Sequence, residues 1–424
     1  MDLTPKDERP VRLLLSDDLH RIRITVFFRL FLAIPLLIWL LVWAIGALFV
    51  AVANWVVTLI RGMSPASLHG FLARFVRYTT QVYAFVNLAA EPYPNFGGKP
   101  GYPVDVAIDP PARQNRWTVA FRFILAIPAF LLAGALVGNG LSEVLLSSSE
   151  EFASFTTVAV AAFLGWFYAM ARGRMAHGLR DLIAYALSYA AQTWAYLLLV
   201  TDRYPSSDPL TAIGPLPTRT DPVRAEVTDE LRRSRLTVFF RLVLAFPHLV
   251  WLTLWGIVAL LVAIVNWLAT LILGTSPQWA HRFLSRYVRY QFQVGAFLYL
   301  VGNPFPGFVG APGQYPVELH VAERARQNRW TVLFRLVLAF PALLLSAVFG
   351  QILGFVALLG WFASLFTARM PLGLRNLGAY ALRYHAQTYA YVFLVTGAYP
   401  YSGPCLERAP APVPEVAAPP QPLA

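Results

Sequence analysis

Long uncharged stretches of apolar residues recur along the chain. Residues 30–60, 242–280 and 336–368 contain no Asp, Glu, Lys or Arg. Apolar runs longer than about 18 residues are candidates for membrane helices. The hydrophobic pattern therefore predicts an all-helical polytopic membrane protein.

A second pattern, apolar residues at every other position, occurs in a short segment before each apolar block. Such alternation is typical of a half-buried strand. The four segments predict four short β-strands, which could pair into one small cytoplasmic sheet; the alternative is four unrelated extended linkers. The alternating residues are Val11, Leu13 and Leu15; Val104, Val106 and Ile108; Val223, Ala225 and Val227; and Val317, Leu319 and Val321.

The chain is an internal repeat of four units. The pattern R-x-T-V-x-F-R-x-x-x-A-x-P begins at Arg23, Arg116, Arg235 and Arg329. A Trp, a Tyr within [RS]-Y-x-x-Q, and an aromatic-Pro pair follow. The Trp-to-Tyr spacing is 23 residues and the Tyr-to-Pro spacing 16 residues in all four units. Units 1 and 3 resemble each other most, as do units 2 and 4, which indicates duplication of a pair of units.

These motifs resemble a known family. The F-F-R-L start and the T-D-R-Y-P end, residues 201–205, are similar to the bacterial membrane family called domain of unknown function 4389. The resemblance covers roughly residues 11 to 402 in tandem copies. It implies a bacterial membrane protein and carries no catalytic residue over. Unit 2 departs from the pattern by an insertion and by Ser188, which replaces the usual Arg.

The insertion suggests where each apolar run turns. The distance from the second Arg of the motif to the Trp is 26 residues in units 1, 3 and 4 but 44 in unit 2. Polar and acidic residues cannot lie halfway along a lipid-embedded helix without water, so we expect the insertion at a hairpin tip. The other units carry Gly46, Gly256 and Gly350 near that point. Each apolar run is thus predicted to be a helical hairpin with its tip near this glycine. A separate break is predicted at the proline, between an interfacial segment and a span.

A third helix, predicted to be amphipathic and interfacial, completes each unit. If it also crosses the membrane, the chain has twelve spans instead of about eight. The predicted boundaries are a charged tail (1–10), unit 1 (11–101), unit 2 (102–205), a linker (206–221), unit 3 (222–308), unit 4 (309–403) and a disordered Pro- and Ala-rich tail (404–424).

The composition supports a membrane protein and indicates anionic lipid as its partner. Only 13% of the 424 residues are charged, against about 25% in soluble domains. The net charge is +12, and the arginines flank the apolar runs, where anionic lipid headgroups are the expected partners. Nothing resembles a nucleic-acid-binding module. By the positive-inside rule, we expect a multi-pass protein of the cytoplasmic membrane with both termini in the cytoplasm.

Two sets of polar residues are candidate sites. An arginine six residues before each proline either binds a phosphate of a lipid headgroup or anchors the helix at the interface: Arg29, Arg122, Arg241 and Arg335. The third helices carry polar residues that either line a groove or form the polar face of an amphipathic helix: Arg77, Gln81, Gln192, Arg289, Gln293, Arg383 and Gln387.

Catalytic and metal-binding patterns were not found in the sequence. It has no HExxH, Walker A or G-x-S-x-G motif, and no cofactor or metal site is predicted. We expect a non-enzymatic membrane protein that organises or binds anionic lipid or a membrane partner. The alternatives are a channel or carrier with four quasi-equivalent units, and a lipid-modifying enzyme.

Overall fold

The computed structural model describes residues 9–138 and 156–407, and it is mostly helical. Units 1, 3 and 4 each contribute one long apolar helix, unit 2 contributes two 16-residue apolar helices in its place, and every unit has one 21-residue packing helix. In unit 1 these are α1 (Arg23–Arg61) and α2 (Ala66–Val86), with the strands β1 (Val11–Leu15) and β2 (Val104–Ile108) on either side in sequence.

The other units follow the same plan with a short helix before the long one. Unit 2 has α3 (Arg116–Ala120), α4 (Arg122–Val137), α5 (Thr157–Arg172) and α6 (His177–Leu197). A 3₁₀ turn (Pro209–Thr211), β3 (Thr218–Arg219) and β4 (Val223–Val227) lead into unit 3, which has α7 (Arg235–Phe239), α8 (Arg241–Leu273) and α9 (Gln278–Leu298). Unit 4 has β5 (Val317–Val321), α10 (Arg329–Leu333), α11 (Arg335–Thr367), α12 (Leu372–Val392) and β6 (Leu406–Glu407).

The long helices are continuous, so the predicted hairpins are wrong. Gly46 lies inside the 39-residue helix α1, and Gly256 and Gly350 lie inside 33-residue helices. The helices also continue through their prolines; in units 2 to 4 the break comes earlier, at Phe121, Phe240 and Phe334. A glycine within an apolar helix costs only about 1 kcal/mol, and it does not by itself produce a turn.

Unit 2 does not fold back either. The indole of Trp55, near the end of α1, donates to the Val119 carbonyl just before α4, and Trp166 of α5 donates to Val26 at the start of α1. Because α1 is one helix, the start of α4 and the end of α5 lie at its opposite ends. Helices α4 and α5 therefore run along α1 in succession and in the opposite direction. The insertion itself, residues 139–155, lies outside the described residues.

The strands have the predicted bounds but form two sheets, not one. Strand β1 pairs antiparallel with β2, and β4 pairs antiparallel with β5. The strands contact the packing helices, and the packing helices contact the long helices. The molecule thus has three layers: long helices, packing helices, and strands with their linkers.

The described residues of the linker and of the segment after unit 4 pair with each other. Residues 404–407, assigned above to a disordered tail, include a buried Cys405 and the strand β6, which pairs in parallel with β3 of the linker. The rest of the predicted tail, 408–424, and most of the charged tail, 1–8, lie outside the described residues.

The two halves of the chain meet through units 2 and 4. Helix α11 contacts α4 and α5, and the rings of Tyr185 and Tyr380 lie 6.3 Å apart. These tyrosines occupy the same position in their units, so an approximate two-fold axis passes between them.

Candidate functional site

The outer face of the long-helix layer is apolar and exposed. Along α1 the buried residues form one stripe, and the remaining faces carry large apolar side chains such as Leu30, Phe49 and Ile60, each about seven-tenths exposed. A contiguous apolar surface of this kind marks a membrane or protein contact. Three helices, α1, α8 and α11, are long and apolar enough to cross a membrane.

The four candidate arginines of the motif are buried behind this face. The Arg29 guanidinium donates from Nη1 to the carbonyls of Phe85 (2.7 Å) and Ala90 (3.0 Å), and from Nη2 to a Glu91 carboxylate oxygen at 2.6 Å. It also lies over the Phe85 ring, 4.5 Å from the centroid. Each of these arginines thus reaches the end of the packing helix of its own unit, where carbonyl groups lack helical partners.

Within the part of the chain that the structure describes, only the units of the first half give these arginines an acidic partner. Arg122 pairs with Asp202 at 2.7 Å, as Arg29 does with Glu91. The equivalent positions, 13 residues after the unit's Tyr, hold Asn303 and Gly397 in units 3 and 4. The two arginines of those units each keep a ring contact and one hydrogen bond, and their Nε and Nη1 atoms have no hydrogen-bond partner among the described residues: Arg241 and Arg335.

The first arginine of each motif, in contrast, is exposed at the end of a neighbouring long helix. Arg23 donates to the Ala171 carbonyl, Arg235 to that of Phe366 and Arg329 to that of Ile272. Each therefore caps the C-terminal end of the long helix in the partner unit, where a cation is favoured. These residues were not among the site candidates predicted from the sequence, although they are the first residue of the repeated motif.

The polar residues of the packing helices hold the third layer in place. The Nε of Arg77 donates to the Val106 carbonyl at 3.0 Å, and the guanidinium pairs with Asp105 at 3.3 Å. Arg289 makes the equivalent contacts to Leu319 and Glu318.

In the second unit of each half, the same positions bind the segment that follows the unit. Arg383 donates to Gly403 at 2.7 Å and contacts Glu407 and the Cys405 sulfur. Ser188, which replaces the arginine in unit 2, donates to the Ala212 carbonyl of the linker at 2.7 Å. Burial raises the pKa of the Cys405 thiol and of the Glu407 carboxyl.

The glutamines of this set also bind their own neighbouring segments. The amide of Gln81 donates to Lys99 and that of Gln387 to Val223, whereas Gln192 accepts from the Ser206 amide. Gln293 is buried, with its Nε2 unpartnered. The seven predicted polar residues therefore do not converge on one groove; they attach separate strands and linkers to the packing helices.

The asparagines before the Trp of units 1 and 3 join adjacent units. Asn54 donates to the Leu198 carbonyl at 3.1 Å and accepts from Ser64 at 2.6 Å. Asn266 makes the same contacts with Phe393 and Ser276. Within residues 9–138 and 156–407, no cluster of three or more His, Cys, Asp or Glu side chains has a metal-binding arrangement.

Comparison with known proteins gives a family but no relative of known activity. No curated protein and no solved structure matches the chain. The model of the family described as Domain of unknown function (DUF4389) matches residues 23–97, 151–207, 235–309 and 329–402. These four matches fall on the four units and cover more than half of the sequence, so the chain belongs to this family, in four tandem copies.

Proposed function

We propose that this is a non-enzymatic membrane protein that binds and organises anionic lipid, with its long-helix layer embedded in the bilayer. The observation that carries the proposal is the exposed apolar face of the long helices, flanked at its ends by exposed arginines. Apolar surface of this extent needs a hydrocarbon partner, and arginine favours bidentate contact with phosphate.

The length of α1 favours long helices that lie along the membrane over helices that cross it. From Arg29 to Arg61 the apolar part of α1 is about 48 Å long at 1.5 Å per residue. The hydrocarbon core is about 30 Å thick. A crossing α1 would have to tilt strongly, whereas a helix lying in one leaflet has no length limit.

The strand layer gives a second argument against crossing. Strand β1 runs beside α6, with Val11 near Gln192 and Leu15 near His177, and therefore lies alongside the middle of the long helices. In the equivalent sheet of the second half, His320 pairs with Glu226 at 2.9 Å, with both side chains over 40% exposed. Upright long helices would bring this pair to the level of the hydrocarbon core, where charged groups are costly. With the helices lying flat, the strand layer faces water.

The exposed arginines then occupy the headgroup region at both ends of each long helix. The Nη2 of Arg23 donates to the Ala171 carbonyl, and a guanidinium has five N–H donors in all. Arg116 lies beside Gly62, next to Arg61 at the opposite end of α1. At its start, α1 carries Arg23 beside the C-terminal end of α5. At its end, it carries the neighbouring arginines Arg61 and Arg116. Because the cytoplasmic leaflet is the anionic one and attracts basic residues, we place the long helices in that leaflet and the strand layer on its cytoplasmic side.

The channel or carrier hypothesis is less well supported. It requires polar residues of the four units to meet along a common path. The repeated polar residues instead bind the strand or linker of their own region, as Arg77 and Arg383 do.

Site-directed labelling tests the embedding. In a Cys405→Ser background, Arg23→Cys and Arg61→Cys report the two ends of α1, and Glu226→Cys reports the strand layer. Phe49→Cys, on the exposed apolar face of α1, is the control expected to be embedded in lipid. A membrane-impermeant maleimide added to one side of sealed vesicles should label the first three from the same side and leave the control unlabelled. Labelling of the two α1 ends from opposite sides would show that the helix crosses.

Lipid retention tests the binding. Native mass spectrometry would compare retained phosphatidylglycerol and phosphatidylcholine in the whole protein and in two fourfold Arg→Gln variants. One variant changes the exposed set, Arg23, Arg116, Arg235 and Arg329; the other changes the buried set, Arg29, Arg122, Arg241 and Arg335. We expect the exposed set alone to reduce phosphatidylglycerol selectively. Unchanged retention in that variant would refute headgroup binding by these residues.

A further inference from the structure

An apolar groove lies between units 1 and 2, where their long helices diverge. Helix α1 contacts α3 and α5 near its two ends, and between these contacts a cavity of about 950 Å³ opens. Its walls come from α1, α2, α4 and α6. None of the lining residues that lie within the described ranges is charged.

Four of the polar groups that line the groove already have hydrogen-bond partners. The hydroxyls of Thr79, Thr80 and Thr193 donate to carbonyls of their own helices at 2.9 Å. The indole nitrogen of Trp55 donates to the Val119 carbonyl. The groove therefore offers an incoming molecule apolar surface and few unused hydrogen-bonding groups, which selects a hydrocarbon ligand.

The groove is continuous with the exposed face of α1. Leu48 and Val52 line it and are more than half exposed, as is Phe123 at the start of α4. The Arg61 and Arg116 pair lies at the same end as Trp55 and Phe123. A ligand with an apolar chain and an anionic head would thus meet apolar walls in the groove and cations at its end.

At two equivalent positions the second half of the chain carries larger side chains than the groove-lining residues of the first half. Leu198 corresponds to Phe393, which packs edge-on against Tyr287 with ring centroids 5.9 Å apart and stacks on Tyr389 at 6.0 Å. Thr80 corresponds to Phe292, which is buried. The same backbone frame thus holds an open groove in one half and aromatic side chains in the other.

We infer that the groove between units 1 and 2 binds the acyl chain of a phospholipid from the leaflet that holds the long helices. The inference rests on the proposed embedding and deepens it, since it assigns a specific lipid site to one half of the chain. The occupant is a hydrocarbon chain because the described walls are uncharged and mostly apolar and are open to the lipid-facing surface.

Photolabelling of the whole protein tests the site. The protein would be reconstituted into phosphatidylglycerol and phosphatidylcholine vesicles that contain a phospholipid with a diazirine on its acyl chain, and labelled peptides mapped after illumination. We expect labels on the outer face of α1, around Phe49, and also on the inner walls, around Thr80 and Ala191. Inner labels should be lost in Thr80→Phe and Leu198→Phe, while outer labels remain. The reciprocal variant Phe393→Leu should gain inner labels in the second half.

The outcomes separate this site from the embedding itself. Outer labels without inner ones, or inner labels that persist in both filled variants, would overturn the groove and leave the embedding intact. No label on α1 at all would overturn both. Inner labels that appear only after deletion of residues 139–155 would show that this segment, and not lipid, occupies the groove. Thermal unfolding of each variant identifies any that fail to fold, and the Phe393→Leu gain does not depend on the filled variants.

Discussion

Removal of Glu91 should destabilise the protein through the buried Arg29. The substitution Glu91→Gln keeps the size of the side chain and removes its charge. Arg29 is only 2% exposed, so it cannot replace the lost carboxylate with water at little cost. Breaking a buried ion pair generally costs about 3–5 kcal/mol. Here the carbonyls of Phe85 and Ala90 continue to accept from the guanidinium, and a hydrogen bond to a charged group contributes about 1.5–3 kcal/mol. We therefore expect a loss of about 1.5–3 kcal/mol.

The second half supplies the reverse experiment. Arg241 corresponds to Arg29, and its Nη2 is 3.4 Å from the Asn303 carbonyl while its Nε and Nη1 have no partner. Asn303→Glu places a carboxylate where unit 1 has one. Because a carboxylate must be partly desolvated there, the net gain is expected to be smaller than the loss in Glu91→Gln, about 1 kcal/mol.

Both variants would be measured by denaturant unfolding of the purified protein in detergent, followed by tryptophan fluorescence, with retained lipid quantified in parallel. The reasoning fails if Glu91→Gln unfolds like the wild type, or if Asn303→Glu is as destabilising as Glu91→Gln. Should Glu91→Gln instead gain bound phosphatidylglycerol with no loss of stability, Arg29 would be available to headgroups, as the sequence analysis considered.

Three further predictions use the same unfolding measurement. Burial lowers the pKa of His69 and His281 in the folded protein, so below about pH 6.5 the unfolded chain binds more protons than the folded one. The free energy of unfolding should therefore fall as the pH drops through that value. The double variant His69→Gln, His281→Gln should show a smaller dependence on pH. Gly310 has φ +58°, and a Cβ there would meet the Arg286 carbonyl, so Gly310→Ala should lower the free energy of unfolding by about 1–3 kcal/mol. Gly307 has open space around it, so Gly307→Ala should change it by no more than about 0.5 kcal/mol. Equal effects of the two substitutions would show that Gly310 is not needed for its backbone conformation. Asn54→Ala leaves the Leu198 carbonyl and the Ser64 hydroxyl without their partner and should cost about 1–3 kcal/mol; an unchanged stability would mean that water replaces the amide.

The sequence predicts the local elements of this fold well and their tertiary arrangement poorly. The strands begin and end where the period-two pattern does, since one face of each strand packs on a packing helix. The hairpin prediction fails because an insertion shows only where extra residues are tolerated; it does not show that the chain reverses there. In unit 2 the insertion separates α4 from α5, and the two helices follow each other along α1 in the same direction.

The burial of the motif arginines could not be predicted from local pattern either. Arg29 lies six residues before Pro35 in an apolar run, which suggests an interface position, yet its partners come from residues 85–91 of the same unit. The available signal was the acid 13 residues after the unit's Tyr, Glu91 and Asp202, which is lost in units 3 and 4. That comparison between copies predicts which arginines are ion-paired.

The contact between the two halves explains how they could diverge. A Cβ on Gly178 would lie 2.6 Å from the Ser402 hydroxyl, and one on Gly373 would lie 2.7 Å from that of Ser207. These are reciprocal contacts between equivalent positions, as in an isologous dimer, in which one patch meets its own copy. In a true dimer both halves would have to carry the same groove and the same arginine partners. Joined in one chain, they keep the reciprocal contact while one half retains an open groove with acid-paired arginines and the other carries Phe292 and Phe393 at the positions of Thr80 and Leu198. We therefore assign the proposed lipid site to the first half, with the second half as its structural counterpart.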